Sequence, residues 1–338
     1  MISSPTTVGG TPLTSARRSS VTRRFLAVDL GGTTMRAAIV DEDGTLLQRS
    51  RAPTPDDPEA DALMELVEEV LHGDVVEHAV IGVPGWVDYA DGALERAPNL
   101  PAGWTEDLTA ERIGTRIGLP VDLANDADLA AVGEAYFGAA RGASDVAYIT
   151  ISTGIGAGVV LGGQRVGGRR PLGEIGHTII DWEAGENEPA TLEALGSGTS
   201  LARRAAAVGL PRDGRGIVEL VHAGDERARE IWDQMVRAVQ VGATNLAWAF
   251  MPEVVVLGGG VGLNGDLLID PVREHLRDHG PSRLDPPISV HVAALGDDAG
   301  LVGAAAWRDA TRGRTHMERA RGPEGFRTTP GAGRGADR

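Results

Sequence analysis

Apolar positions along this chain follow two rhythms. Phe25 to Leu30 is a near-continuous apolar run, and Met35 to Val40 is another, as expected of buried strands. Glu42-Asp43-Gly44 offers a turn, and Thr45 to Arg51 reads as a third strand. The body therefore opens as an antiparallel meander, not as a strand followed by a helix. Residues 58–72 switch to helical spacing, with Pro58 near the start. "HAVIGVPG" reads as a strand ending at a Pro-Gly loop, and "GWTEDLTAERIGTRIG" as an amphipathic helix beginning near Thr105. "PVDLANDADLAAVGEAYFG" reads as a short strand and then a helix that Asn125 or Asp126 caps. "DVAYITISTGIGAGVVLGGQRV" then repeats the opening plan. Set beside "VDLGGTTMRAAIV", the stretch "ITISTGIGAGVVL" has the same order of strand, Gly/Thr turn and strand, which implies a duplicated core. Beyond residue 193 the pattern is helical, with a long segment at 225–250. The strand "EVVVLGGGVG", a helix, the strand "ISVHVAAL" and a closing helix from about Ala299 follow.

Composition narrows the chemistry. A chain of 338 residues with 42% hydrophobic positions is long enough for two domains around a cleft. Residues 1–23 (rich in Ser, Thr, Gly and Arg) and 312–338 (rich in Gly, Arg and Pro) read as disordered tails. No apolar run approaches the roughly 20 residues of a membrane span, and no secretory h-region is visible. A soluble cytoplasmic protein, without membrane partners, is the expectation. There is no cysteine, so disulfides, thiolate zinc and a cysteine nucleophile are excluded. There is no lysine either: every one of the 32 basic residues is arginine. That removes a Walker A P-loop, a protein-kinase fold and a pyridoxal Schiff base, each of which needs its lysine. The net charge of −16 argues against nucleic acid as a partner.

Several clusters carry candidate chemistry. The two Gly/Thr turns stand at equivalent places of a duplicated core. Glycine lets backbone amides approach a phosphate closely, and a matched pair of such turns can grip a nucleotide from both sides. One such turn alone is usually only a turn. Asp29, ending the first strand, offers hard oxygen to Mg²⁺, directly or through water. "LGGGVG" at 257–262 supplies a third glycine cluster after a strand, without the full dinucleotide-binding fingerprint. Asp126 lies where a strand gives way to a helix. It reads as part of an N-cap pair or as the general base that phosphoryl transfer to a hydroxyl requires, and both readings fit one pair of residues. Glu174, His177 and Glu193 read as a metal site, a catalytic cluster or plain surface.

Taken in order, "AVDLGGTTMRAAIVDEDG", "GVPGWVD", "APNLPAGW", "ANDADLAAVGE", "ISTGIGAGVVLGG", "GEIGH" and "LEALGSG" resemble the ROK family (repressors, open reading frames and sugar kinases) over about residues 25 to 310. The resemblance implies an α/β chain with a two-domain actin-like ATPase (ribonuclease H-like) fold, its duplicated mixed sheets flanking a cleft. The domains expected are 24–124 and 125–298, with a closing helix at 299–311 packing back on the first. It implies ATP with Mg²⁺ between the glycine turns and a hexose in the cleft. Carried over, Asp126 matches the base that deprotonates the sugar 6-hydroxyl. Asn125 and Asn99 match sugar-hydroxyl ligands, and Gly85 a backbone contact. Glu174, His177 and Glu193 match the cluster on the other ring hydroxyls. Gly31, Gly32, Thr33 and Thr34 match the first phosphate loop, and Thr153, Gly154 and Gly156 the second. Gly258, Gly259 and Gly260 match the adenosine motif. A homodimer is also implied.

One departure stands out. Many members of that family follow the histidine with a cysteine-rich loop that holds structural zinc. Here the loop is "TIIDWEAGENEPAT", shorter and without cysteine, so no structural zinc is expected and His177 is left as a plain imidazole. The resulting expectation is a glucokinase-like enzyme making glucose 6-phosphate. An N-acetylhexosamine kinase for GlcNAc or ManNAc, polyphosphate as donor, and a sugar-responsive regulator without catalysis are the alternatives.

Overall fold

The computed structural model describes residues 22–56, 62–101, 103–186, 188–281 and 286–312. The two expected tails thus fall almost wholly outside the described residues. The first sheet is built from β1 (Arg24–Leu30), β2 (Thr34–Asp41), β3 (Leu46–Pro53), β4 (His78–Val83) and β7 (Val121–Asn125), with β5 (Trp86–Asp88) and β6 (Ala93–Arg96) forming a separate hairpin. Its order is β3-β2-β1-β4-β7: antiparallel across the meander, parallel from β1 onward. The second sheet comprises β8 (Val146–Ile151), β9 (Ile155–Leu161), β10 (Gln164–Arg165), β11 (Val254–Gly258) and β12 (Ser289–Val292). Its order is β10-β9-β8-β11-β12, with the same antiparallel and parallel pairings. The duplication read from the two Gly/Thr hairpins is therefore a duplication of whole sheets.

Between the strands run α1 (Ala62–Leu71), α2 (Trp104–Asp107), α3 (Ala110–Ile117), α4 (Asp126–Tyr136), α5 (Leu192–Gly196), α6 (Gly198–Ala207), α7 (Gly214–His222), α8 (Glu226–Phe250), α9 (Gly259–Gly262), α10 (Asp270–His279), α11 (Ala299–Gly303) and α12 (Trp307–Thr311). Strand alternation divides the apolar side chains between layers. Leu26, Val28 and Leu30 face α1 and α3 in an outer core. Phe25 and Ala27 face the other way, into a middle core shared with α4, α11, α12 and with Val146, Tyr148, Val254 and Val256 of the second sheet. A third core lies beneath α6, α7, α8 and α10. Asp29 continues the Phe25/Ala27 face, so alternation aims it toward the middle of the molecule.

Three expectations needed correction. The single helix expected from near Thr105 is two, α2 and α3. Thr109 interrupts it with extended backbone, and its hydroxyl accepts the Arg112 N–H as the N-cap of α3. The strand "ISVHVAAL" ends at Val292, because the N–H groups of Ala294 and Leu295 turn to the buried carboxylate of Glu134 at 3.0 and 2.8 Å. The closing helix is broken into α11 and α12, with α11 packed on α4, β1 and β2.

Candidate active site

The candidate catalytic residues lie where β7 passes into α4. Asn125 is buried, and its side-chain oxygen accepts from the N–H groups of Ala127 (3.0 Å) and Asp128 (3.2 Å), capping the helix. Its amide nitrogen donates to the Gly85 carbonyl at 3.0 Å. A side-chain amide carries two N–H bonds, so one remains for another acceptor. Asp126, the first residue of α4, is exposed, and one oxygen accepts the Ala127 N–H at 2.8 Å. Its carboxyl is pushed up to about 7, first by surrounding protein that desolvates the charge and then by the carboxylate of Asp29, with Glu174 and Asp128 adding to it. A carboxylate with that affinity can take a proton from a hydroxyl near neutral pH.

The first glycine turn closes with the Gly31 N–H on the Thr34 carbonyl at 3.0 Å, and the Thr54 hydroxyl holds the Gly31 carbonyl at 2.6 Å. A Cβ on Gly32 would stand 2.0 Å from the Asn99 carbonyl, so this position has room for glycine only. Asn99 is thereby seated on the turn through its backbone, with its side chain exposed. Thr33 and Thr34 are exposed at the turn's tip, Thr34 being the first residue of β2. Asp29 is paired across the sheet with Arg36, whose guanidinium grips Oδ2 through Nε (3.0 Å) and a terminal nitrogen.

The second turn is tied to the start of α6. The Gly198 N–H donates to the Ser152 carbonyl at 2.7 Å, and the Thr199 hydroxyl to the Thr153 carbonyl at 2.7 Å. Gly154 lies at the tip, but Gly156, expected in this loop, is inside β9. It pairs with Thr150 and faces Ala127 of α4, so its smallness serves strand-to-helix packing. Beside the turn opens a cavity of about 760 Å³ whose walls include Thr153, Thr199, Gly260, Arg212 and Arg215. It joins the second and third glycine clusters, and is roomy and mixed in polarity, as sites for small organic ligands are. Gly258 ends β11 and Gly259 follows it with φ 77. Arg212 and Arg215 carry no local pattern in the sequence that marks them for this wall.

Glu174 precedes a 3₁₀ turn, Ile175–His177, that His177 ends, with 3.7 Å between carboxylate and imidazole. Burial raises the Glu174 carboxyl, while His177 and a hydrogen bond from Trp86 oppose that rise. His177 is 65% exposed, so it faces open cleft water. Glu193, in α5, lies close enough for its charge to raise the Glu174 carboxyl, and its Oε2 accepts the Ile155 N–H at 2.9 Å, directly after the second glycine turn. Gly85 adopts φ 121, and a Cβ there would meet the Arg96 carbonyl at 2.1 Å. Among the described residues no group of three or more His, Cys, Asp or Glu side chains is arranged to hold a metal ion.

Two sheets of matching strand order, each with a glycine turn in its first hairpin, define the class: an actin-like ATPase fold. The ROK family model matches residues 25–311, and the chain belongs to that family. A ROK family glucokinase from Streptomyces griseus, solved in complex with glucose and AMPPNP, is 34% identical and superposes with a TM-score of 0.71, covering 86% of this chain and 99% of that one. A ROK hexokinase from Thermus thermophilus is 35% identical, with a TM-score of 0.72 over 87% and 99% of the two chains. The glucokinase of Thermotoga maritima is 31% identical over 305 residues, 83% of this chain and 96% of its own length.

Proposed function

We propose that this chain is an ATP-dependent hexokinase that phosphorylates the 6-hydroxyl of glucose. The observation that carries the reading is Asp126: an exposed carboxyl at the start of α4, within reach of the charges of Asp29 and Glu174, and pushed up to about 7. The glucokinase relatives support glucose as acceptor and ATP as donor. In this reading Asp126 accepts the proton of the 6-hydroxyl. The sugar oxygen bonds to the γ-phosphorus as the bond to the bridging oxygen breaks, and ADP leaves. Glu174, His177 and Glu193 accept and donate hydrogen bonds to the other ring hydroxyls, with Asn125, Asn99 and the Gly85 backbone completing the grip. Amides of the two turns carry the phosphates, and the cavity by Gly258, Gly259 and Gly260 takes the adenosine. Arg212 and Arg215, on the cavity wall, offer positive charge in a chain without lysine.

Magnesium fits the first turn. Arg36 engages only Oδ2 of Asp29, leaving Oδ1 as a hard oxygen donor, and Mg²⁺ needs only one or two carboxylates beside nucleotide phosphates. Bound there, the ion would neutralise phosphate charge. A homodimeric assembly and a cytoplasmic setting belong to the same reading; among the described residues no helix is long and apolar enough to cross a membrane.

The test is ADP release from MgATP with glucose, mannose, GlcNAc, ManNAc and fructose, for the native chain and Asp126→Asn side by side. Glucose-dependent turnover that falls about 10²- to 10⁴-fold in the variant is the expected result. Turnover only with an N-acetylhexosamine moves the acceptor; no sugar-dependent turnover at all overturns the reading.

A further inference from the structure

Three side chains distant in sequence meet directly behind the Asn125–Asp126 turn. Arg165 reaches Asp128 at 3.0 Å, and both side chains are almost fully buried, at 2% and 1% exposure. The Tyr89 hydroxyl donates to the same Asp128 oxygen at 2.6 Å and accepts the Asn125 N–H at 3.2 Å. The Arg165 guanidinium lies 4.1 Å from the Tyr89 ring centroid and 5.3 Å from that of Trp307. A Cβ on Gly167 would stand 2.0 Å from Arg165, so the chain closes tightly over the guanidinium.

The members come from different parts of the molecule. Tyr89 follows β5 of the first half, Asp128 is in the first turn of α4, and Arg165 ends the edge strand β10 of the second half. Neighbouring contacts join the same two segments. The Tyr89 N–H donates to the Arg169 carbonyl at 2.8 Å, Arg169 pairs with Asp88 and Asp91 at 2.6 Å each, and Arg170 pairs with Glu95.

A buried ion pair contributes little net stability, because desolvating two charges offsets most of their attraction. Its geometry is nonetheless rigid, and here it carries a direct link to the backbone next to Asp126. We propose that Tyr89, Asp128 and Arg165 are positioning residues that fix the Asn125–Asp126 turn against the second half of the molecule, and so hold the Asp126 carboxylate on line with the acceptor hydroxyl. This rests on the hexokinase reading, in which Asp126 receives that hydroxyl's proton. Burial and the Asp128 charge both push the Tyr89 phenol up, so it stays protonated and keeps donating.

Tyr89→Phe removes one oxygen, keeps the ring under Arg165 and leaves the ion pair intact. Steady-state kinetics and native-state hydrogen exchange are measured on the full chain, with Asp126→Asn as reference. Expected for Tyr89→Phe is a kcat lower by about 10- to 100-fold, with KM for glucose and for MgATP within about twofold. The amides of Asn125 to Leu129 should exchange about tenfold faster or more, while those of β8 stay unchanged. Asp126→Asn should show the kcat loss without the faster exchange. Unchanged kcat, or unchanged exchange at Asn125 to Leu129, overturns the assignment. If the native chain shows no sugar-dependent turnover, the hexokinase reading fails, and the exchange measurement alone decides whether this cluster holds the turn.

Discussion

Asp126 is held where its charge works against folding. Its native carboxyl titrates near 7 instead of at 3.8, so between those values the folded chain binds more protons than the unfolded one. By linkage, its contribution favours folding at low pH and is lost as pH rises toward neutrality. Asp126→Asn should therefore be more stable than the native chain at pH 8 and no different below about pH 4. The gain should be on the order of 1 kcal/mol, since cleft water screens a side chain this exposed. Urea unfolding at the two pH values checks it. In the hexokinase reading the same group should give kcat/KM an acid limb, with its midpoint below 7 once Mg²⁺ offsets the Asp29 charge, and a pH–rate profile checks it. Asp126 was legible in "LANDAD" because a strand end, an N-cap and adjacent acids mark a helix start. Tyr89 and Arg165 were not. Nothing local distinguishes either side chain; only the fold brings them to Asp128.

Helix α4 shows what a single element can carry. Its first turn holds Asp126 and Asp128, and its middle crosses α11 at backbone contact. A Cβ on Gly133 would lie 2.2 Å from the Ala299 carbonyl, and one on Gly303 would lie 2.1 Å from the Leu129 carbonyl. Gly303→Ala should therefore push the helices apart and destabilise the chain by about 1–3 kcal/mol, read as a lower urea midpoint at unchanged m. Glu134 pins the C-terminal end of α4, accepting the N–H of Ala139 at 2.7 Å together with those of Ala294 and Leu295. The sequence displayed long elements well. Helix α8 runs from Glu226 to Phe250, close to the 225–250 read from periodicity, capped by Asp225 at one end and released at Met251 by left-handed backbone. It displayed interruptions poorly: the Thr109 cap and the breaks around α11 arise from one hydrogen bond or one tight crossing, which leaves the apolar spacing almost unaltered.

At the scale of the whole molecule, the two sheets are joined through a common middle core, and each of the three cores contains one buried tryptophan. Trp104 lies in the core under the first sheet, Trp307 in the middle and Trp232 beneath the second sheet. Because the middle core draws on both sheets, neither half can melt and leave the other intact. Variants retaining one of these tryptophans, the other indoles being replaced by Phe, should give urea transitions that coincide with each other and with far-UV circular dichroism. Separate midpoints would mean independent halves. The paired sheets were visible in the two matching glycine hairpins, but the shared core was not, since Phe25 and Val256 enter one core only through topology. Glu193 brings the two halves of the chemistry together. Its carboxylate belongs with the residues assigned to the hexose, yet it holds the amide next to the loop assigned to phosphate, at 2.9 Å. In that reading, a ligand that orders this carboxylate should also order the loop. The free energy of that ordering is then shared by both ligands, so each raises the affinity of the other by the same factor. On the proposed assignment, glucose should tighten MgATP binding, and calorimetry of MgATP with and without glucose checks it.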